Sequence, residues 1–98
     1  MATLARTTNA SFTKGLLMQI TLIIGYKTRK GTAFIGRSAD GRYHPMWQDE
    51  SLGSYHNLTG AVEDMAGGHV FTPSDGTDTG SLGISSDPED WLPAKELM

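Results

Sequence analysis

The sequence predicts a small α+β domain, in which a three-stranded antiparallel β-meander carries one packed α-helix and an ordered, loop-rich C-terminal tail. Three observations support this fold class. The chain has 98 residues and no cysteine, which fits one compact domain built without disulfide bonds. Its apolar residues recur with a period of two in the first half, and the period changes to 3.6 near residue 57. Its 12 glycines favour turns over long helices.

The first 17 residues are interpreted as a weakly ordered N-terminal arm, followed by a single domain over residues 18–98. The arm carries basic residues and no acid, and an apolar stretch from Gly15 to Gly25 follows it. A secretory signal has this order of charge and apolarity, but polar residues interrupt the stretch and no small-x-small cleavage site follows. The sequence therefore favours a cytoplasmic protein without a membrane segment, and it leaves open whether Met1 or Met18 is the natural start.

Three strands are predicted over residues 18–26, 32–37 and 42–48. These segments are rich in β-branched and aromatic residues, and the first of them alternates apolar with polar positions. An Asp-Gly pair between the second and third segments is a strong hairpin signal. Because Pro45 has no backbone N–H, the third strand is expected at a sheet edge or with a bulge.

One helix is predicted over residues 58–66. Its apolar residues recur at helical spacing and form a single stripe. Asn57 is a suitable N-cap, and the Gly67-Gly68 pair is expected to end the helix. The predicted core combines the helix stripe with apolar strand and tail residues, namely Ile20, Leu22, Ile24, Phe34, Leu58, Val62, Met65 and Trp91.

The two halves of the chain differ in charge. Residues 1–47 carry seven basic side chains and one acid, a net +6, whereas residues 48–98 carry one basic side chain and ten acids, a net −9. The halves can neutralise each other within one fold or between two copies. The overall charge of −3 is unlike the positive surplus that most nucleic-acid binders carry.

The large side chains exceed what one short helix can cover on three strands. The sequence therefore predicts that part of the sheet meets a partner protein or a second copy of the chain, with a homodimer as the simplest arrangement. Such a dimer is expected to join unlike parts of the two copies. The candidate interface residues are Tyr43, Met46, Trp47 and Tyr55.

A basic first hairpin supports an alternative function, which is nucleic-acid binding. Basic residues interleaved with aromatic ones bind phosphates and stack on bases, although an exposed hairpin tip is more commonly a solvated turn. The candidate phosphate-binding residues are Lys27, Arg29, Lys30, Arg37 and Arg42.

No sequence motif predicts a cofactor, a metal or catalysis, and the chain is expected not to be an enzyme. The segment from Asp78 to Ser81 matches the aspartic-protease tetrapeptide, but polar residues precede it where that family has an apolar strand. The same residues are common in turns. His44, His56 and His69 share no ligand-like spacing, and whether they converge is left open. A hydrolase that uses Asp78 or the histidines is the remaining alternative.

Part of the chain resembles a set of small uncharacterised bacterial proteins. The likeness covers residues 32–92 and rests on the segments Gly41 to His44, Ser51 to Tyr55 and Gly67 to Asp78, with a short helix between the last two. Such proteins are carried by phages, plasmids and integron gene cassettes. The resemblance implies a bacterial accessory gene and no known activity. The predicted function is therefore a non-enzymatic interaction module whose biological role is open.

Overall fold

The computed structural model describes residues 19–98, so the predicted arm over residues 1–17 lies outside the described part of the chain. The described residues form a small α+β fold with an antiparallel sheet and one α-helix, as the sequence predicts. The strands are β1 (Ile20–Thr28), β2 (Gly31–Ser38), β3 (Tyr43–Trp47), β4 (Glu50–Ser51) and β5 (Leu92–Pro93), and the helix is α1 (Leu58–Gly67). Three 3-10 helices span Thr79–Ser81, Pro88–Asp90 and Ala94–Glu96.

The sheet has five strands in the order β4-β3-β2-β1-β5, so the prediction of three strands is wrong. The three longer strands match the predicted segments to within two residues at each end. The two additional strands contain only two residues each. A segment of that length is too short to show an alternating pattern, because periodicity needs four or more residues to be visible.

Pro45 does not lie on an edge strand, because β4 pairs with the outer side of β3. The Pro45 carbonyl accepts a hydrogen bond from the Leu52 amide at 2.8 Å. In an antiparallel strand the N–H and C=O of one residue point to the same side. The missing Pro45 donor therefore faces the side of the short β4, and the ladder between β2 and β3 does not need it.

The strand register assigns each side chain to one of two sheet faces. On the face that α1 covers, which we call the helix face, Ile35 is paired with Ile24 on one side and Pro45 on the other, and Ala33 is paired with Tyr26 and Trp47. The opposite face is called the open face. Its larger apolar side chains are Ile20, Leu22, Phe34, Met46 and Leu92.

A β-bulge in β1 explains why part of the predicted core is wrong. The register shifts between Leu22 and Ile24, so the extra residue Ile23 reverses the alternation of the strand. Ile23 and Ile24 pack against the core on the helix face, whereas Ile20 and Leu22 lie half-buried on the open face. Phe34 is also half-buried there, since it pairs with Gly25.

The helix and the C-terminal tail close the core on the helix face. Val62, Met65 and Trp91 are buried as predicted, and Leu58 and Ile24 are half-buried against them. Asn57 caps α1 by accepting from the Gly60 amide at 2.7 Å, and Gly68 ends it with a φ of 76°. The chain after α1 also contributes Leu82 and Ile84 to this core.

We expect Val62→Asp to unfold the domain. Val62 is fully buried in the stripe of α1 that faces the sheet, and an unpaired buried carboxylate costs at least about 3 kcal/mol. Thr59→Asp is the matched control, because it adds the same acid at an exposed position of the same helix. Circular dichroism during heating compares the two variants. A Val62→Asp chain that melts cooperatively near the wild-type temperature would contradict this placement.

Candidate functional site

The open face carries a thin apolar layer over two glycines. A Cβ atom at Gly25 would lie 2.7 Å from Leu97 Cδ1 and 2.8 Å from Phe34 Cδ1, so both side chains lie above that glycine. A Cβ atom at Gly36 would overlap Ile20 and would lie 3.5 Å from Leu22 Cδ2. The absence of side chains at the two glycines therefore lets the neighbouring apolar groups lie flat across the strands.

The open face is apolar and nearly uncharged. Leu92, which pairs with Gly25, is 48% exposed, and Phe34 and Leu22 are half-buried. Among the strand residues within 19–98, Lys27 at the hairpin end is the one charged side chain on this face. A surface of this composition suits contact with another protein better than contact with water.

A buried polar network borders one end of the open face. The His44 side chain is 2% exposed; its Nδ1 lies 3.0 Å from the Gly53 carbonyl oxygen and its Nε2 lies 2.9 Å from the Ser38 hydroxyl. The Ser38 hydroxyl also contacts the carboxylate of Asp40. This hydrogen bond holds the pKa of Asp40 below its usual value, and a second hydrogen bond from the Arg42 amide adds a smaller lowering effect. The network joins the turn after β2 to the chain after β4 and leaves Ser38 buried.

Trp47 connects β3 to the loop that contains Asp75. Its side chain is 2% exposed, and its indole Nε1 donates to Asp75 Oδ2 at 3.0 Å. The Asp75 carboxylate also accepts from the Thr77 amide at 2.9 Å. Hydrogen bonds from Thr77 and then from Trp47 hold the pKa of Asp75 below its usual value. Trp47 is therefore part of the interior of this chain.

The structure does not bring the four interface candidates to one surface. Trp47 and Met46 are both buried, on opposite faces of the sheet. Tyr43 and Tyr55 are half-buried on the helix face, where an isolated bridge pairs them. Of the four, only Met46 belongs to the open face. The sequence did not predict that four residues of the open face lie at the surface, namely Ile20, Leu22, Phe34 and Leu92. Gly36 and Gly25, which pair with Leu22 and Phe34, were the signal in the sequence for a flat face.

The five phosphate-binding candidates lie at two separate places. Lys27, Arg29 and Lys30 are exposed at the tip of the hairpin between β1 and β2. Arg37 and Arg42 lie near the far end of β2, where other groups engage them. The Arg37 guanidinium lies 5.6 Å from the centre of the Tyr43 ring, and Arg42 binds the hydroxyl and the carbonyl of Ser54.

The aromatic residues near the hairpin tip are also engaged. Tyr26 packs on Trp91 with ring centres 5.7 Å apart, and Phe34 lies over Gly25. Of the two rings, Tyr26 is thus engaged by Trp91, whereas Phe34 is half-buried on the open face, which also carries Lys27.

The groups considered for catalysis are dispersed or occupied by structural contacts. Asp78 caps the 3-10 helix that follows it by accepting from the Gly80 amide at 3.0 Å, as turn residues do. His44 is buried in the network above, while His56 and His69 lie just beyond opposite ends of α1. Ten helical residues separate those ends by about 15 Å. Within residues 19–98 no group of three histidine or acidic side chains is placed to hold a metal ion.

A groove with aromatic walls lies beside α1, and no pattern in the sequence predicts it. It has a volume of about 310 Å³, and we call it the aromatic groove. Its lining consists of Leu52, Gly53, Ser54, Tyr55, His69, Val70 and Phe71. Phe71 is 76% exposed at its rim. The Tyr55 hydroxyl donates to Asp64 Oδ2 at 2.9 Å, which places an acid of α1 at its border.

Comparison with known proteins identifies no relative: no family model, no curated protein and no solved structure matches this chain. Between residues 19 and 98, none of the helices has both the length and the apolar content needed to cross a bilayer. The site must therefore be interpreted from its own geometry.

We expect the stability of the domain to fall at alkaline pH through Tyr55. Burial, reinforced by the hydrogen bond to Asp64, raises the pKa of the Tyr55 hydroxyl to about 12 from its usual 10.0. The folded state favours the neutral phenol, so this stabilisation is complete below pH 10 and is lost as the pH rises towards 12. Tyr55→Phe should cost about 1 kcal/mol at pH 7 and should reduce the alkaline loss.

Urea unfolding at pH 7 and pH 11 tests this expectation, with Tyr43→Phe as the matched control. An alkaline loss in Tyr55→Phe equal to that of the wild type would show that this hydroxyl is not responsible.

Proposed function

We propose that this chain is a non-enzymatic interaction module that self-associates as a homodimer through the open face. The observation that carries the proposal is the layer of partly exposed apolar side chains on that face, where Leu92 is 48% exposed and Phe34 and Leu22 are half-buried. In line with the resemblance of its sequence, we propose that it is the product of a bacterial accessory gene on a mobile element. We propose the cytoplasm as its compartment.

Physical considerations favour a second copy as the occupant of the open face. A sheet with two apolar faces needs a cover on each. The core that α1 and the tail build lies on the helix face, whereas on the open face the tail places Leu97 over Gly25 and leaves Leu92 48% exposed. Two sheets pack well face to face at about 10 Å when both inner faces are apolar. A twofold axis supplies a matching apolar face without any new sequence, so this proposal joins like parts of the two copies instead of the unlike parts expected from the sequence.

The charge distribution also supports a copy of the same chain. The first half of the chain is positive and the second half is negative, so each copy carries charges of both signs. Two copies can therefore associate without bringing together charges of one sign only. Exposed ion pairs contribute only about 0–1 kcal/mol each. The apolar contact at Leu22, Phe34 and Leu92 must therefore supply most of the binding free energy.

Nucleic-acid binding, the alternative, receives less support from the geometry. Its five cations are divided between two ends of β2, and of the two rings near the hairpin tip Tyr26 packs on Trp91. Lys30 lies close enough to Asp75 to lower the pKa of that carboxyl, so an acid already faces part of the tip. We therefore retain self-association as the proposed function.

We expect Leu22→Lys to weaken the dimer by at least tenfold, because it places a charge in the middle of the apolar layer. Thr21→Lys is the matched control, since Thr21 is the preceding residue of β1 and is exposed on the other face. Sedimentation equilibrium of the full chain at micromolar concentrations measures the mass. The wild type and Thr21→Lys should approach twice 10.6 kDa, and Leu22→Lys should remain near the monomer mass with an unchanged circular dichroism spectrum.

Two results would overturn the proposal. A wild-type mass that stays near 10.6 kDa at high concentration would show that something other than a second copy covers the open face. Equal weakening by Leu22→Lys and Thr21→Lys would indicate pairing along the edge of β1, because an edge contact involves both residues alike.

A further inference from the structure

We propose that the aromatic groove binds the cationic side chain of a lysine or an arginine from a partner peptide. The groove lies beside α1, on the side of the sheet away from the open face, so this inference is independent of the proposed dimer. Its basis is a pair of walls made of ring systems and an acid that contacts both walls.

The first wall is formed by Tyr55. A Cβ atom at Gly53 would lie 3.1 Å from Tyr55 Cε1, and one at Gly60 would lie 3.7 Å from Tyr55 Cδ2. The ring therefore lies between the strand segment and α1, with both neighbours lacking a side chain. This position is fixed further by the hydrogen bond from the Tyr55 hydroxyl to Asp64.

The second wall is formed by the segment His69 to Phe71. The His69 ring lies against Gly67, where a Cβ atom would approach its Cε1 to 3.2 Å. The Phe71 amide donates to the Leu52 carbonyl at 3.0 Å, which holds this segment beside the groove floor. The Phe71 side chain remains 76% exposed, so an aromatic ring stands at the entrance with room beside it.

The negative charge near the groove favours a cationic ligand. Asp64 contributes its carboxylate to Tyr55 and its carbonyl to the His69 amide, at 2.9 and 2.8 Å, and thus lies behind both walls. The adjoining C-terminal end of α1 carries partial negative charge. The last turn of α1, which lies wholly inside the described residues, has no basic residue to neutralise that end.

Arg42 does not fill this role, because other groups engage its guanidinium. Arg42 is bound to the hydroxyl and carbonyl of Ser54 and approaches His56 Nδ1 to 3.4 Å. Arg42 is therefore held at the Ser54 end of the groove lining, and the rings of Tyr55 and Phe71 are left for a cation from outside. Aromatic faces together with a nearby carboxylate bind lysine and arginine groups by cation–π attraction and charge.

Titration of the full ¹⁵N-labelled chain with two peptides tests the proposal. One peptide is Gly-Gly-Arg-Gly-Gly, and the other has citrulline in place of arginine, which keeps the size and removes the charge. The arginine peptide should shift the amide signals of Ser54, Val70 and Phe71 saturably. The citrulline peptide should bind at least about fivefold more weakly, as the loss of a cation–π contact predicts.

Two charge-neutralising variants identify the source of the selectivity. Asp64→Asn keeps an oxygen for the Tyr55 hydroxyl and should weaken binding of the arginine peptide about fivefold or more. Glu63→Gln removes the same charge from the neighbouring exposed position of α1 and should change binding less than twofold. Equal binding of the two peptides would show an apolar groove without cation selectivity. The absence of saturable shifts at these three amides would remove the site altogether, whatever the state of the dimer.

Discussion

The core of this molecule depends on Trp47, which connects the sheet, α1 and the loop that contains Asp75. Its indole ring lies in the core under α1, its backbone belongs to β3 between β2 and β4, and its Nε1 donates to Asp75 in the loop that precedes the tail. A ten-residue helix is about 15 Å long and cannot by itself cover five strands spaced by about 4.8 Å. The chain after α1 therefore completes the core on the helix face with Leu82, Ile84 and Trp91.

The bulge at Ile23 determines which apolar side chains take part in that core. With regular alternation, Leu22 and Ile24 would share one face; with one inserted residue they lie on opposite faces. The inserted residue thus moves Leu22 to the open face and keeps Ile23 and Ile24 with the core. The two proposed binding surfaces therefore lie on opposite sides of the sheet: the open face on one side and the aromatic groove, bordered by Asp64, on the other.

The sequence allowed prediction where local chemistry decides the structure. The caps Asn57 and Gly68 delimit α1, and the Asp-Gly pair lies in the turn between β2 and β3, because these signals act within a few neighbouring residues. The strands β4 and β5 have no local pattern and form only because neighbouring strands pair with them. The contacts of Trp47 with Asp75 and of Phe71 with Leu52 join distant segments, so no spacing in the sequence could indicate them.

The central claim is that a second copy of the chain covers the open face. An isotope-filtered NOESY spectrum of a sample mixed from labelled and unlabelled chains observes contacts between copies directly. The structure predicts intermolecular signals between the Phe34 ring and the methyl groups of Leu22 or Leu92. Intermolecular signals confined to residues of the helix face, or their absence from a sample shown to be fully associated through another surface, would contradict the account.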